Sequence, residues 1–373
     1  MKAAELSGLN VLRVLASLYM VMFHLHPAFL AGPVGVFFSR GASGTSLFFI
    51  LSGFLLAYLY AGRIFGDQAQ KKFVSQRWAR LLPANVAGLG FLLIAQGLLG
   101  HSSVDWSVLA QCLLLVQTWD VGNERAMNVP AWSMSCILFF YLIFPVLLPR
   151  IERLKTVQLQ LLMLGLWLLS AVGFPELARW PGIFEASSWT GHLHTSPLLR
   201  ASEFILGMGL AILVRRNGLP SVWWFRLSVP AISAVLFFAP GETMSINNGL
   251  FAPLTACLLV GFLRPGPTLS RLGQHPLLRA VSNSSICIFL LHMTWIEIFN
   301  AWLLPRLHMD WNLGLVATLL TAVVLSALVV DRWLCLPVTR WLVRPTFPVF
   351  AVPTLRFWRP QAPAVEQTQA ASA

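Results

Sequence analysis

The sequence predicts an all-α, polytopic integral membrane protein with about ten transmembrane helices. Three observations predict it. The 373 residues are 57% hydrophobic and only 11% charged, where a soluble domain carries about 25% charged residues. Mean hydropathy is +0.71. The apolar residues gather into runs of about 17 to 24, the length that crosses a bilayer as a helix.

Candidate spans fall at roughly 9–30, 44–61, 83–100, 132–149, 158–174, 198–214, 222–239, 247–263, 281–304 and 313–335. The first, "LNVLRVLASLYMVMFHLHP" at 9–27, carries Arg13 and His24. Eleven residues at about 100° each make roughly three turns, so the two side chains share a face about 16 Å apart. The second begins in "GASGTSLFFILSGFLLAY", where Gly41, Gly44, Ser52 and Gly53 let helix backbones approach closely. Ahead of the third lies "KKFVSQRWARLLP", residues 71–83. Arg77 and Arg80 are three apart and would face one side of a helix, while Pro83 marks the start of the span.

The apolar piece at 107–117 is too short to span and reads as interfacial or re-entrant. The fourth span opens on "WSMSCILFFY", residues 132–141, and the sixth carries Arg200 and Glu203 at i, i+3, where an ion pair can neutralise itself. The ninth contains His292. Residues 1–345 read as one transmembrane domain. The remainder, 346–373, ends in the Pro/Ala/Gln-rich "RPQAPAVEQTQAASA" and reads as a cytoplasmic tail, disordered at its end.

The basic residues orient the spans. With the N-terminus inside, about 20 of the 26 Lys and Arg fall on the cytoplasmic side and about five outside. Counting 107–117 as a span would turn the loop "RIERLK" outward. Positive-inside retention therefore accounts for the net charge of +12, which in a soluble chain would suggest nucleic acid. The five cysteines, Cys112, Cys136, Cys257, Cys287 and Cys335, show no metal-ligand spacing and read as small buried hydrophobes. The first apolar run exceeds a signal-peptide core and reads as an uncleaved span.

Each polar group has two readings. A histidine near a helix end can simply satisfy an interfacial hydrogen bond. On the same stripe as Arg13, His24 instead suggests a polar groove in which an imidazole accepts a proton. Arg77 and Arg80 are either ordinary retained charge or a phosphate clamp built from guanidinium donors.

In order along about residues 8 to 300, several segments resemble a known family, the membrane-bound acyltransferase family 3, which modifies sugars of bacterial envelopes. "LRVLASLYMVMFH" looks like its first helix, with Arg-x10-His spacing, and "SLFFILSGFLLAY" like its second. "RWARLLP" resembles its Arg-x-x-Arg cluster, "RASEFILGMGLAIL" at 200–213 a later Phe/Arg-x-x-Glu-Phe-x-x-Gly-Met segment, and "SICIFLLH" a weaker one ending at His292. One departure stands out. Where members commonly carry "WSLSxEExFY", this chain has Ile137 and Leu138 in place of the two glutamates, although Trp132, Ser133, Ser135 and Tyr141 remain.

The resemblance implies an O-acyltransferase that moves an acyl group, by default acetyl, from acyl-CoA to a sugar hydroxyl of an exopolysaccharide, O-antigen or lipid-linked oligosaccharide. His24 and Arg13 would be catalytic, and Arg77 and Arg80 would hold the phosphates of coenzyme A. Trp132, Ser135, Tyr141, Arg200 and Glu203 would line the acceptor side. Acyl-CoA would be a donor substrate, with no permanently bound cofactor and no metal. The carbohydrate or glycolipid acceptor and the lipid bilayer are the expected partners, and nucleic acid is not. The expected setting is the bacterial cytoplasmic (inner) membrane with both termini inside. Composition alone fits equally well a transporter or permease for a glycan or glycan-lipid precursor, which would move substrate without releasing CoA. A catalytically inactive scaffold fits the two absent glutamates.

Overall fold

The computed structural model describes residues 7–25, 30, 32–63, 65–100, 103–173, 187–219, 222–238 and 249–343. The expected tail at 346–373 lies outside them. Among the described residues every regular element is helical. A membrane leaves few alternatives, because a helix satisfies its own backbone polar groups without water.

Eight helical stretches are long and apolar enough to cross a membrane, of which Asp67–Leu98 and Leu313–Leu342 are the longest. The other two expected spans, 222–239 and 247–263, appear as shorter helices, Val222–Phe238 and Ala252–Phe262, packed on each other. The labels used below are α1 (Ser7–Leu25), α2 (Gly32–Ser39), α3 (Gly44–Tyr60), α4 (Asp67–Leu98), α5 (Trp106–Leu114) and α6 (Trp132–Glu152). They continue with α7 (Thr156–Leu168), α8 (Ser187–Thr195), α9 (Pro197–Asn217), α10 (Val222–Phe238), α11 (Ala252–Phe262) and α12 (Pro267–Gln274). The last are α13 (Pro276–Asn283), α14 (Ser285–Ile298), α15 (Leu304–Leu307), α16 (Leu313–Val330) and α17 (Leu336–Leu342).

The buried side chains form two large clusters. One unites α3, α6, α9 and α11 through Phe49, Phe54, Phe140, Phe144, Phe204 and Leu259. The other unites α4, α14 and α16 through Leu81, Ile288, Leu290, Leu319 and Val323. Helix α1 belongs to both: Leu9, Val11, Leu12 and Ala16 pack in the first, and Met20, Val21, Met22 and Leu25 in the second. A polar side chain on α1 therefore sits at the seam of the bundle.

The closest helix pair is α3 with α9. A Cβ on Gly53 would run into the carbonyl of Phe204, and one on Gly207 into the carbonyl of Ile50. Only glycine allows that approach at either position.

Helix α4 differs from the sequence expectation. Residues 71–83 are not a loop before a span; they are its first half, and the helix runs through Pro83. Proline has no N–H to offer the carbonyl four residues back, here Ala79. The Thr339 hydroxyl from α17 donates to that carbonyl at 3.0 Å, so the gap is filled from a neighbouring helix.

The short piece expected at 107–117 is α5, nine residues long. The Asp105 carboxylate caps it, accepting from the N–H groups of Ser107 and Val108 at 2.9 and 3.2 Å. Those bonds and the Ser107 hydroxyl hold Asp105 below the usual carboxylate range. Leu115, in the left-handed conformation, ends the helix.

Candidate active site

The seam of the bundle holds a cavity of about 290 Å³. Helix α3 forms its longest wall, from Thr45 to Leu59, about 21 Å at 1.5 Å per residue. Most of the lining is apolar. Its charged groups are three arginines: Arg13 from α1 and Arg77 and Arg80 from α4. Tyr141, Asn283, Ser133 and Ser285 add hydroxyl and amide groups. Among the described residues no carboxylate belongs to the lining.

Arg77 sits in an aromatic box. Its guanidinium lies over the rings of Phe73, Tyr60 and Tyr141 at 5.3, 5.8 and 5.9 Å, and Nη2 donates to the Tyr60 hydroxyl at 3.4 Å. Stacking of this kind holds the planar cation in place while leaving in-plane donors for an anion. Arg80 is exposed, one turn further along the same helix face.

His24 does not line the cavity with Arg13. It pairs instead with His292 of α14: His24 Nδ1 and His292 Nε2 are 3.0 Å apart, with ring centres at 4.9 Å. The same Nδ1 is 3.0 Å from the Met20 carbonyl. Phe289 joins the two places, because it lines the cavity and its ring centre lies 5.8 Å from that of His292. Sequence periodicity put His24 and Arg13 on one stripe, but it could not show that a residue 268 positions away would complete the imidazole's surroundings.

The acceptor-side candidates divide. Tyr141 lines the cavity, as does Ile137, which occupies one of the two positions where glutamate was expected. Leu138 packs into the second core cluster. Ser135 is buried, its Oγ within 2.6 Å of both the Leu115 carbonyl and Thr118 Oγ1. Arg200 and Glu203 form a buried ion pair at 3.0 Å, with side chains 1% and 0% exposed. The Ser46 hydroxyl donates to Glu203 Oε1 at 2.7 Å, and Arg200 stacks over Phe49 and Trp132 at 5.2 and 5.7 Å. Of this group, Phe49 lines the cavity.

Two of the scattered cysteines also meet. Cys287 and Cys335 have Sγ atoms 3.7 Å apart, and with Asp331 they form a group whose potential ligand atoms lie within 4.8 Å of one another. No spacing rule could have paired residues 48 apart on different helices.

A family model described as an acyltransferase domain matches residues 6–331, most of the chain and every helix that lines the cavity. The chain belongs to acyltransferase family 3. Among curated relatives, the acyltransferase MdmB of Streptomyces mycarofaciens is 29% identical over 236 residues, covering 59% of this chain and 57% of the relative. A Staphylococcus aureus protein, provisionally named an O-acetyltransferase, is 24% identical over 327 residues, covering 81% of this chain and 52% of its own length. The chain thus spans about half the length of the curated relatives it matches. No solved structure matches. Within the family frame, the segments carrying Arg13, His24, Arg77, Arg80 and Glu203 all fall inside the matched residues.

Proposed function

We propose that the protein is an integral membrane O-acyltransferase that moves an acyl group, by default acetyl, from acyl-CoA to a sugar hydroxyl of an exopolysaccharide, O-antigen or lipid-linked oligosaccharide. The supporting observation is the cavity itself: a mostly apolar cleft with three guanidinium groups and no carboxylate among the described residues that line it. That composition suits a donor with a phosphorylated handle and a long, weakly polar arm. The name of the Staphylococcus aureus relative favours acetyl as the group transferred. The excess of basic residues on loops assigned to the inside supports the bacterial cytoplasmic membrane, with the donor entering from the cytoplasm.

On this reading Arg77 and Arg80 hold the phosphates of coenzyme A. Arg13 joins them in the cavity, so its role is at the donor's anionic end and not beside His24, about 16 Å away along the helix. The pantetheine arm runs along α3 and carries the thioester toward Phe289 and the histidine pair. His24 then removes the proton of the acceptor hydroxyl as that oxygen attacks the thioester carbonyl. The carbon–sulfur bond breaks, and the proton passes to the departing thiolate. If His24 attacks the thioester first, an acyl-imidazole forms and the hydroxyl attacks that instead. Tyr141 contacts substrate in the cavity, while Trp132, Ser135, Arg200 and Glu203 shape its wall from behind.

The test is release of free thiol from acetyl-CoA by the full chain in lipid nanodiscs, with and without a glycolipid extract. The wild type should release thiol, and His24→Ala should abolish it. Arg77→Ala should raise KM for the donor about tenfold or more, the scale of one lost charge-assisted contact, with kcat little changed. An active His24→Ala protein would sink the role given to His24. No release from folded wild-type protein, coupled to movement of a glycan across the bilayer, would favour a transporter.

A further inference from the structure

The histidine pair assigns its own hydrogens. A backbone carbonyl can only accept, so His24 Nδ1, 3.0 Å from the Met20 carbonyl, carries the N–H. Nε2 of His292 stands 3.0 Å from that same Nδ1 and must present a lone pair to it. A neutral His292 then keeps its hydrogen on Nδ1. That nitrogen is buried and makes no hydrogen bond among the described residues. The opposite assignment would set lone pair against lone pair at the Met20 carbonyl. A chain of polarity therefore runs from His292 to His24.

We propose that His292 is a positioning residue that holds His24 as its Nδ1–H tautomer, placing the basic, nucleophilic lone pair on Nε2. This rests on the reading of His24 as the group that takes the proton or the acyl group. In the opposite tautomer, the nitrogen left to meet the substrate would be a donor and could do neither. His292 suits the task because it is fully buried, with the ring of Phe289 tilted against it at 5.8 Å between centres. Unlike a carboxylate in the same place, a neutral imidazole orients its partner without adding a charge at membrane depth.

The experiment compares His292→Leu, His292→Gln and His292→Asn with wild type and His24→Ala, as full chains in nanodiscs. It reads kcat and KM for acyl-CoA together with thermal unfolding. A glutamine carbonyl reaches about where His292 Nε2 stands and can accept from the His24 N–H; an asparagine carbonyl falls short. His292→Leu should lower kcat about 10- to 100-fold, the usual cost of losing an orienting partner, with KM for the donor unchanged. His292→Gln should recover most of that loss, and His292→Asn should not.

Near-wild-type kcat in His292→Leu would overturn the proposal. So would equal activity of the Gln and Asn variants, or a loss that follows unfolding temperature across the series. The Gln and Asn comparison remains decisive if the Leu variant does not fold. An active His24→Ala protein would instead overturn the role of His24, and an inactive one beside an unaffected His292→Leu would overturn only the positioning role.

Discussion

Arg200 and Glu203 meet where neither has water. Taking two charges out of water costs several kcal/mol each, and the pair keeps its place only because Ser46, Phe49 and Trp132 complete its surroundings. Arg200→Ala or Glu203→Ala alone should therefore lower stability by about 3–5 kcal/mol, since each strands a buried charge. The double change Arg200→Met with Glu203→Leu should cost much less, or nothing. Thermal unfolding in detergent measures both, and a double variant that loses as much as the two single changes together would show that the two charges are not energetically coupled. The i, i+3 spacing made this pair legible in the sequence. Its burial was not, because Ser46 and Trp132 come from helices that no local pattern connects to α9. Arg13 was legible from helical periodicity as one stripe with His24, three turns apart; the structure puts Arg13 in the cavity lining and His24 beside His292.

Helices reveal themselves in sequence by the length of their apolar runs, and that signal located the spans. It failed at α4, where Pro83 read as a boundary. The helix continues because Thr339, some 260 residues away, takes over the freed carbonyl of Ala79. A rule based on one residue's chemistry cannot anticipate a distant partner that repairs it. The small residues of α3 were legible as a packing surface, whereas the structure singles out Gly53 and its counterpart Gly207 on α9. Gly207→Ala should reduce the yield of folded protein sharply, because the added Cβ meets the backbone of Ile50 and Phe54 and not a side chain that can move. Gly90→Ala, on the open side of α4, has nothing within 4 Å and should leave folding intact or improve it slightly. Fluorescence-detected size exclusion would separate the two, and equal yields would mean that α3 and α9 do not pack this closely.

At the scale of the whole molecule, α1 joins two separately packed clusters, and the cavity lies along their seam. Among the described residues that line it there is no carboxylate, and Ile137 stands at one of the two positions where the sequence resemblance led us to expect glutamate. Three guanidinium groups without a lining counter-charge should make donor binding sensitive to ionic strength, since charges open to solvent are screened over about 10 Å at 0.1 M salt. KM for acyl-CoA should rise severalfold between about 0.05 and 0.5 M salt, with kcat unchanged. A KM indifferent to salt would remove these arginines from donor binding. The rings of Phe48 and Phe289, 6.3 Å apart at the wall of the cavity, carry a further consequence. A protein that passes a chemical group through a bilayer must not also open a leak. With Phe289 lying against His292, an oily plug stands between the arginine-lined chamber and the imidazoles. On the proposed function, these rings would stand in the way of a continuous water path between the two places, so that a group could be passed to the far side without a proton leak.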